Sequence, residues 1–264
     1  MGAGGGVPGF TASGAAYDAF MGRYSNGLAT AFAEVLGVRE GGTALDVGCG
    51  PGALCDVLVA RLGSASVSAC DPSPGFVAEC SARHPGVTVL QGRAEAVPFP
   101  DAGFDVVAAQ LVFHFVTDPD AAVGELRRVA RPGGTVGACV WDGEHGMEML
   151  RDFWGAAAEL DAHLPEEARS LRFGRPGELV ELFERAGLDP VSESTLDVHT
   201  DYAKFDELWS GFEAGIGPAG AYCAGLPAGR RARLRDRLWQ RLGRPGGRFT
   251  LMATARCVTG STPT

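Results

Sequence analysis

The chain has 264 residues, 45% hydrophobic and 21% charged, with a formal net charge of -9, which suits one large α/β domain or a domain with a sizeable insertion. Its nearest approach to a basic run, GRRARLRDRLWQRLGR at 229–244, alternates arginine with leucine at helical spacing and reads as a solvated helix face, so no nucleic-acid partner is expected. No apolar run reaches the roughly 18 residues of a membrane span, and seven cysteines without a C-x-x-C pair read as reduced, buried thiols of a cytoplasmic protein.

The opening MGAGGGVPGFTASG has neither the basic nor the apolar stretch of a signal peptide, and residues 1–14 are expected to be disordered. Residues 15–36 predict one or two amphipathic helices, broken near Ser25-Asn26-Gly27. Alternation then sets in: strand 44–48, helix 52–62, strand 66–70, helix 74–83, strand 87–90, a loop, strand 104–109, helix 119–130, the turn RPGG and strand 134–141. Strands separated by helices of this length imply right-handed crossovers and a parallel, doubly wound sheet. Beyond Trp141 come helix 147–162, helix 176–186 and a strand through LDPVSESTLDVHT. A helical stretch at 205–243, interrupted by GIGPAGAYCAG, and a closing strand in RFTLMATARCVTG complete the pattern. The helical stretch between two strands is expected to be an insertion over the edge or mouth of the sheet.

The informative stretch is TALDVGCGPGALCDVLVARLG at 43–63. A strand breaks into three glycines and a helix follows at once, the arrangement that lets a ligand approach backbone at a switch point of the sheet. Gly48, Gly50 and Ala53 satisfy the dinucleotide pattern, but Asp46 opposes it. A carboxylate there repels a pyrophosphate and attracts the sulfonium and ammonium of S-adenosylmethionine. Asp71 closes the second strand and offers a carboxylate that can accept from both ribose hydroxyls.

ALDVGCGPGAL, ACDPSPGFV, QGRAEAVPFPDAGFDVV and LRRVARPGGTV, in this order and spacing, resemble the class I S-adenosylmethionine-dependent methyltransferases. The resemblance points to their small-molecule branch related to the quinone-biosynthesis C-methyltransferases. It implies a seven-stranded, mostly parallel α/β sheet at 43–264, an N-terminal helical lid at 15–42 and the insertion at 205–243. It also implies site residues. Gly48, Gly50 and Gly52 face the methionine moiety with Asp46; Asp71 holds the ribose; Pro72, Ser73, Ala94 and Glu95 border the adenine; and Gln110 faces the sulfonium. Tyr17, Arg23 and Tyr24 close the lid, Arg23 being the candidate for the cofactor carboxylate. The chain departs from the family pattern at Arg93, where relatives carry an acid; either the backbone of 93–95 recognises adenine or Arg93 points outward.

Methyl transfer needs a base only when the nucleophile arrives protonated. His114, just past the fourth strand, is the candidate general base, and the competing reading has it ordering the pocket. Trp141, His145, Trp154, Trp209, Phe212 and Tyr222 are expected to form an apolar pocket for a small organic acceptor. The remaining histidines, His84, His163 and His199, show no metal-ligand spacing, so no metal is expected. A monomer or homodimer is expected. Two other readings stand beside this one: an NAD-dependent oxidoreductase and a non-catalytic S-adenosylmethionine-binding module.

Overall fold

The computed structural model describes residues 18–143, 146–161, 163–164 and 172–264. A π-helical turn, Asp18–Gly22, leads into α1 (Arg23–Val35). The alternating part follows: β1 (Ala44–Val47), α2 (Ala53–Leu62), β2 (Val67–Asp71), α3 (Pro74–Arg83), β3 (Thr88–Gln91), β4 (Phe104–Gln110), α4 (Pro119–Val129) and β5 (Ala130–Trp141). Then come α5 (Glu148–Ala158), α6 (Glu178–Arg185), β6 (Val191–Tyr202), the helices α7 (Phe205–Glu213), α8 (Gly217–Gly225) and α9 (Ala228–Arg241), and finally β7 (Phe249–Ser261). Two of the helices that follow strands start where the sequence supplies a cap. Ser73 Oγ accepts from the Phe76 amide at 3.4 Å and Asp118 Oδ1 from the Ala121 amide at 3.0 Å, each with proline next in the chain.

The seven strands form one sheet in the order β3-β2-β1-β4-β5-β7-β6. Neighbours from β3 to β5 run parallel, and β7 lies antiparallel to both β5 and β6. This is the mostly parallel, doubly wound sheet expected, with the three helices of the insertion ahead of the last strand. The chain leaves β1 in one direction toward β2 and returns on the other side through β4, so the switch point lies at the carboxyl ends of β1 and β4.

Apolar side chains fill both faces. Ala44 belongs to the layer that holds α1, α2 and the insertion helices, whereas Leu45 and Val47 belong to the layer of α4 and α6. By strand alternation Asp46 shares the face of Ala44 and points toward α2. Helix α1 buries Tyr24, Leu28, Ala29, Phe32 and Ala33 completely. Gly137 of β5 makes this approach possible, because a Cβ there would overlap Leu36. Among the described residues no helix is long and apolar enough to cross a membrane.

Three local expectations are corrected. Helix α1 runs unbroken through Ser25-Asn26-Gly27; its irregularity is the π-turn before Arg23, and Ser25 Oγ bonds back to the Met21 carbonyl at 3.2 Å. The RPGG turn lies inside β5, where pairing jumps from Phe104–Ala130 to Val106–Thr135. The glycine-rich GPAGAYCAG is helix α8, with the break confined to 214–216. Gly220 has a packing reason to be small: a Cβ there would stand 2.7 Å from the Gly215 carbonyl carbon.

Candidate active site

Past β1 the chain turns through Gly48, Cys49, Gly50, Pro51 and Gly52 into α2. The amides of Gly48 and Cys49 both donate to the Cys70 carbonyl, at 2.7 and 3.0 Å, and the Gly50 amide donates to Asp71 Oδ2 at 2.9 Å. The end of β2 thus holds the turn from below. Gly48, Gly50 and Gly52 all have positive φ, but a Cβ on Gly48 would overlap Val112 and one on Gly52 would overlap His84. At Gly50 nothing lies within 4 Å. Of the three, Gly50 is where bare backbone faces open space.

That space opens into a cleft lined by Ser25, Asp46, the turn from Gly48 to Pro51, Ala53, Leu54, Gln110 and Leu111. Asp46 is 1% exposed; its Oδ2 accepts the Cys55 thiol at 3.3 Å, while Oδ1 has no partner. Gln110 Nε2 donates to the Ser25 carbonyl at 3.0 Å, and its Oε1 also has no partner. A buried acceptor left unpaired costs about 1–3 kcal/mol. Two such oxygens in one cleft fit a ligand rich in donors and positive in charge. Burial pushes the Asp46 carboxyl up to about 7, so a cation here also decides its charge. Leu111, next to Gln110, holds φ +62°, a left-handed conformation that branched side chains rarely take.

The other described residues expected to hold the cofactor do not line this cleft and have partners of their own. Asp71 is buried, and its two oxygens each take one amide, from Gly50 at 2.9 Å and Ser73 at 2.8 Å. A second lone pair remains on each oxygen. Burial raises the Asp71 pKa against the pull of these two amides. The Pro72 carbonyl accepts from Gln91, and Ser73 caps α3. Ala94 is buried, and Glu95 Oε1 takes the Thr117 amide at 2.8 Å, bracing the loop into α4. Arg93 is half exposed and reaches Glu95 and Thr117, which is the outward-pointing alternative. Arg23 pairs with Glu207 of α7 and stands 5.1 Å over the Tyr202 ring, with its Nη1 buried and unpaired. Tyr24 is fully buried and accepts from the Tyr202 hydroxyl at 3.3 Å, so it packs on the sheet rather than on a movable flap. Tyr17 and His145 lie outside the described residues.

His114 is corrected from base to tie. Its Nε2 accepts the Trp141 amide at 2.9 Å and its Nδ1 donates to the Arg172 carbonyl at 2.8 Å. Both nitrogens are spent, which also fixes the tautomer. Desolvation pushes its pKa down to about 4. The ring joins the β4–α4 loop to the end of β5 and to residue 172, the second role weighed for it.

The aromatic pocket is corrected in part. Phe212 is fully buried, stacked on Phe153 at 4.1 Å and edge-on to Phe20 at 5.0 Å. Trp209 is buried 6.2 Å from Phe212, and Trp141 is buried against Tyr24. These rings spend their faces on each other because α5, α7 and the N-terminal turn need a shared core. Trp154 and Tyr222, 5.4 Å apart, stay partly exposed.

Ser25, Cys55 and Leu111 carry no local signature of function in the sequence. His84, expected to be unclustered, has close partners. In the structure His84 Nδ1 lies 3.7 Å from Cys80 Sγ and Nε2 lies 2.7 Å from Asp56 Oδ1. The C-x-x-x-H spacing of Cys80 and His84 on one helix was the available signal. All seven cysteines are free and buried, and no group fit to hold a metal ion occurs among the described residues.

A doubly wound sheet whose first strand carries an acid just before a glycine turn, with two unpaired acceptors at the switch point, suits an enzyme that takes a donor-rich, cationic ligand there. The family model described as "Methyltransferase domain" matches residues 45–137. The chain is 31% identical over 195 residues to malonyl-[acyl-carrier protein] O-methyltransferase of Herminiimonas arsenicoxydans, covering 73% of this chain and 70% of that one. A shorter match, 40% identical over 97 residues, spans 36% of this chain and 38% of "Probable phthiotriol/phenolphthiotriol dimycocerosates methyltransferase 2" of Mycobacterium ulcerans. Among solved structures, phosphoethanolamine N-methyltransferase 2 of Haemonchus contortus, in complex with S-adenosyl-L-methionine, superposes with a TM-score of 0.56 at 17% identity, covering 90% of this chain and 52% of that chain. The chain belongs to the class I S-adenosylmethionine-dependent methyltransferases.

Proposed function

We propose that the cleft beside Gly50 binds S-adenosylmethionine and that the enzyme methylates a small organic acceptor. The observation that carries the reading is the pair of unpartnered buried oxygens, Asp46 Oδ1 and Gln110 Oε1, lining one cleft. They would accept from the ammonium and face the sulfonium. The free lone pairs of Asp71 would take the ribose hydroxyls, with Pro72, Ser73 and the backbone of Ala94 bordering the adenine and Glu95 keeping that loop in place. The unpaired Arg23 Nη1 is the candidate for the carboxylate.

When bound, the cofactor supplies an electrophilic methyl carbon, transferred to the acceptor by in-line displacement. The chain's own contribution is positioning and exclusion of water. Good alignment contributes about 7–11 kcal/mol. With both nitrogens of His114 engaged, the nucleophile receives no help from that imidazole. The narrower likeness to quinone-biosynthesis C-methyltransferases rests on motif order. The relatives above are named for O- and N-methyl transfer, so the acceptor atom is left to experiment.

Calorimetry with S-adenosylmethionine, S-adenosylhomocysteine and NAD tests the reading. Saturable, micromolar-range binding of the first two, without NAD, is expected. Saturable NAD binding with no response to the others would overturn it and favour an oxidoreductase.

A further inference from the structure

Beneath the glycine turn, three thiols meet. Cys80, in the last turn of α3, lies 3.8 Å from Cys55 in the first turn of α2, and both share a buried cluster with Cys49 of the turn. His84 sits one helical turn after Cys80, its Nδ1 3.7 Å from the sulfur and its Nε2 2.7 Å from Asp56. Cys55 in turn gives its S–H to Asp46 Oδ2 at 3.3 Å, the one bond that Asp46 receives from a side chain among the described residues. Cys49 lines the cleft, so the buried pair Cys55 and Cys80 lies one residue layer behind its wall.

We propose that Cys55 and Cys80 form a peroxide-sensitive dithiol whose oxidation to a disulfide switches off cofactor binding by taking the Cys55 hydrogen bond away from Asp46. The disulfide stands on the geometry alone; its effect on affinity rests on the cofactor site proposed above. Neighbouring Cys49 and the ring of His84 hold the Cys80 thiol below the ordinary range. The bonds to Asp56 and Cys80 raise His84 against the opposing effect of burial.

The chemistry balances with hydrogen peroxide as oxidant. The Cys80 thiolate attacks one peroxide oxygen; an S–O bond forms, the O–O bond breaks, and the departing hydroxide leaves as water with the His84 proton. Cys55 passes its proton to Asp46 and attacks the sulfenyl sulfur. The S–S bond forms, the S–O bond breaks, and the leaving hydroxide takes that proton to give a second water. Two thiols and one peroxide become one disulfide and two waters. Closing the 3.8 Å gap to a disulfide of about 2.05 Å draws the start of α2 toward the end of α3. The glycine turn, which leads directly into α2, is displaced with it.

The test treats the full chain with hydrogen peroxide, blocks remaining thiols and maps cross-linked peptides by mass spectrometry. A Cys55–Cys80 peptide lighter by two hydrogens is expected, absent in Cys80→Ala and slowed about tenfold in His84→Gln. S-adenosylhomocysteine affinity should fall at least tenfold on oxidation and return with dithiothreitol, and Cys80→Ala should not respond to peroxide. Absence of the cross-link, or a cross-link that leaves affinity unchanged, overturns the proposal. Failure of the fully reduced protein to bind S-adenosylhomocysteine would instead overturn the cofactor reading, since the cross-link is measured without ligand.

Discussion

Replacing Asp46 with Asn separates stability from binding at one atom. In the free protein, burial raises the Asp46 pKa from 3.8 to about 7. Between these values the folded chain keeps a proton that the unfolded chain has lost, so stability falls as pH rises. The contribution is fully present below the unfolded value and gone above the folded one. A shift of this size is worth about 4 kcal/mol in total, of which about 3 kcal/mol is lost between pH 5 and pH 8. Asn has no charge to desolvate. The stability of Asp46→Asn relative to wild type should therefore be about 3 kcal/mol better at pH 8 than at pH 5, measured by urea unfolding without ligand. Affinity should move the other way: loss of a charge-assisted bond of about 1.5–3 kcal/mol weakens S-adenosylhomocysteine binding by more than tenfold. Wild type should also release a proton on binding near pH 6, because a cation holds Asp46 ionised. Calorimetry in buffers of different ionisation enthalpy reads this release, and the variant should lack it. Parallel stability curves for the two proteins across pH 5–8, or unchanged affinity in the variant, would refute the reasoning.

The glycines of the turn should respond differently. Gly50→Ala meets nothing but the strain of its positive φ, about 1–2 kcal/mol by thermal unfolding, yet should impair cofactor binding. Gly52→Ala adds an overlap with His84 and should destabilise the fold by more than Gly50→Ala does. His114→Ala leaves the Trp141 amide unpaired and should cost about 1–3 kcal/mol at pH 7.5. Because folding lowers the His114 pKa from 6.5 to about 4, wild type loses up to about 3 kcal/mol as pH falls through that window. The gap to His114→Ala should close in acid, and a widening gap would show that the ring is charged in the fold. Gln110→Leu removes both the unpaired oxygen and the bond to Ser25, and calorimetry should show weaker binding of S-adenosylhomocysteine.

The sheet was legible because burial imposes its period locally: the apolar runs of β1, β2 and β4 and the glycine turn carry their meaning within a few residues. The acidic ends of β1 and β2 were legible for the same reason. What escaped was set by distant partners. Nothing near Ser25-Asn26-Gly27 says that α1 will lie on β6, with Gly27 against Val198, and stay helical, and nothing near GPAGAYCAG says that Gly220 will meet the Gly215 backbone. His114 read as a base because its neighbours in sequence are silent; its true partners are 27 and 58 residues away. The aromatics of the insertion were misjudged likewise, since a stripe that receives a ligand and a stripe that fills a core have the same spacing until the rings are seen stacked.

The placement of β7 has a consequence for how the polypeptide reaches this state. Its thirteen residues, Phe249–Ser261, are the last strand in sequence, yet they lie between β5 and β6 rather than at a margin. While a ribosome is still making them, β5 has an open flank and β6 has no place in the sheet. Emergence of this one segment seats both at once, with pairs running from Trp141–Ala255 to Thr135–Ser261 on one side and from Tyr202–Phe249 to Val191–Gly260 on the other. Docking of β7 is therefore what brings β6 into the sheet, and loss of β7 would leave two adhesive strand flanks rather than a slightly shorter sheet.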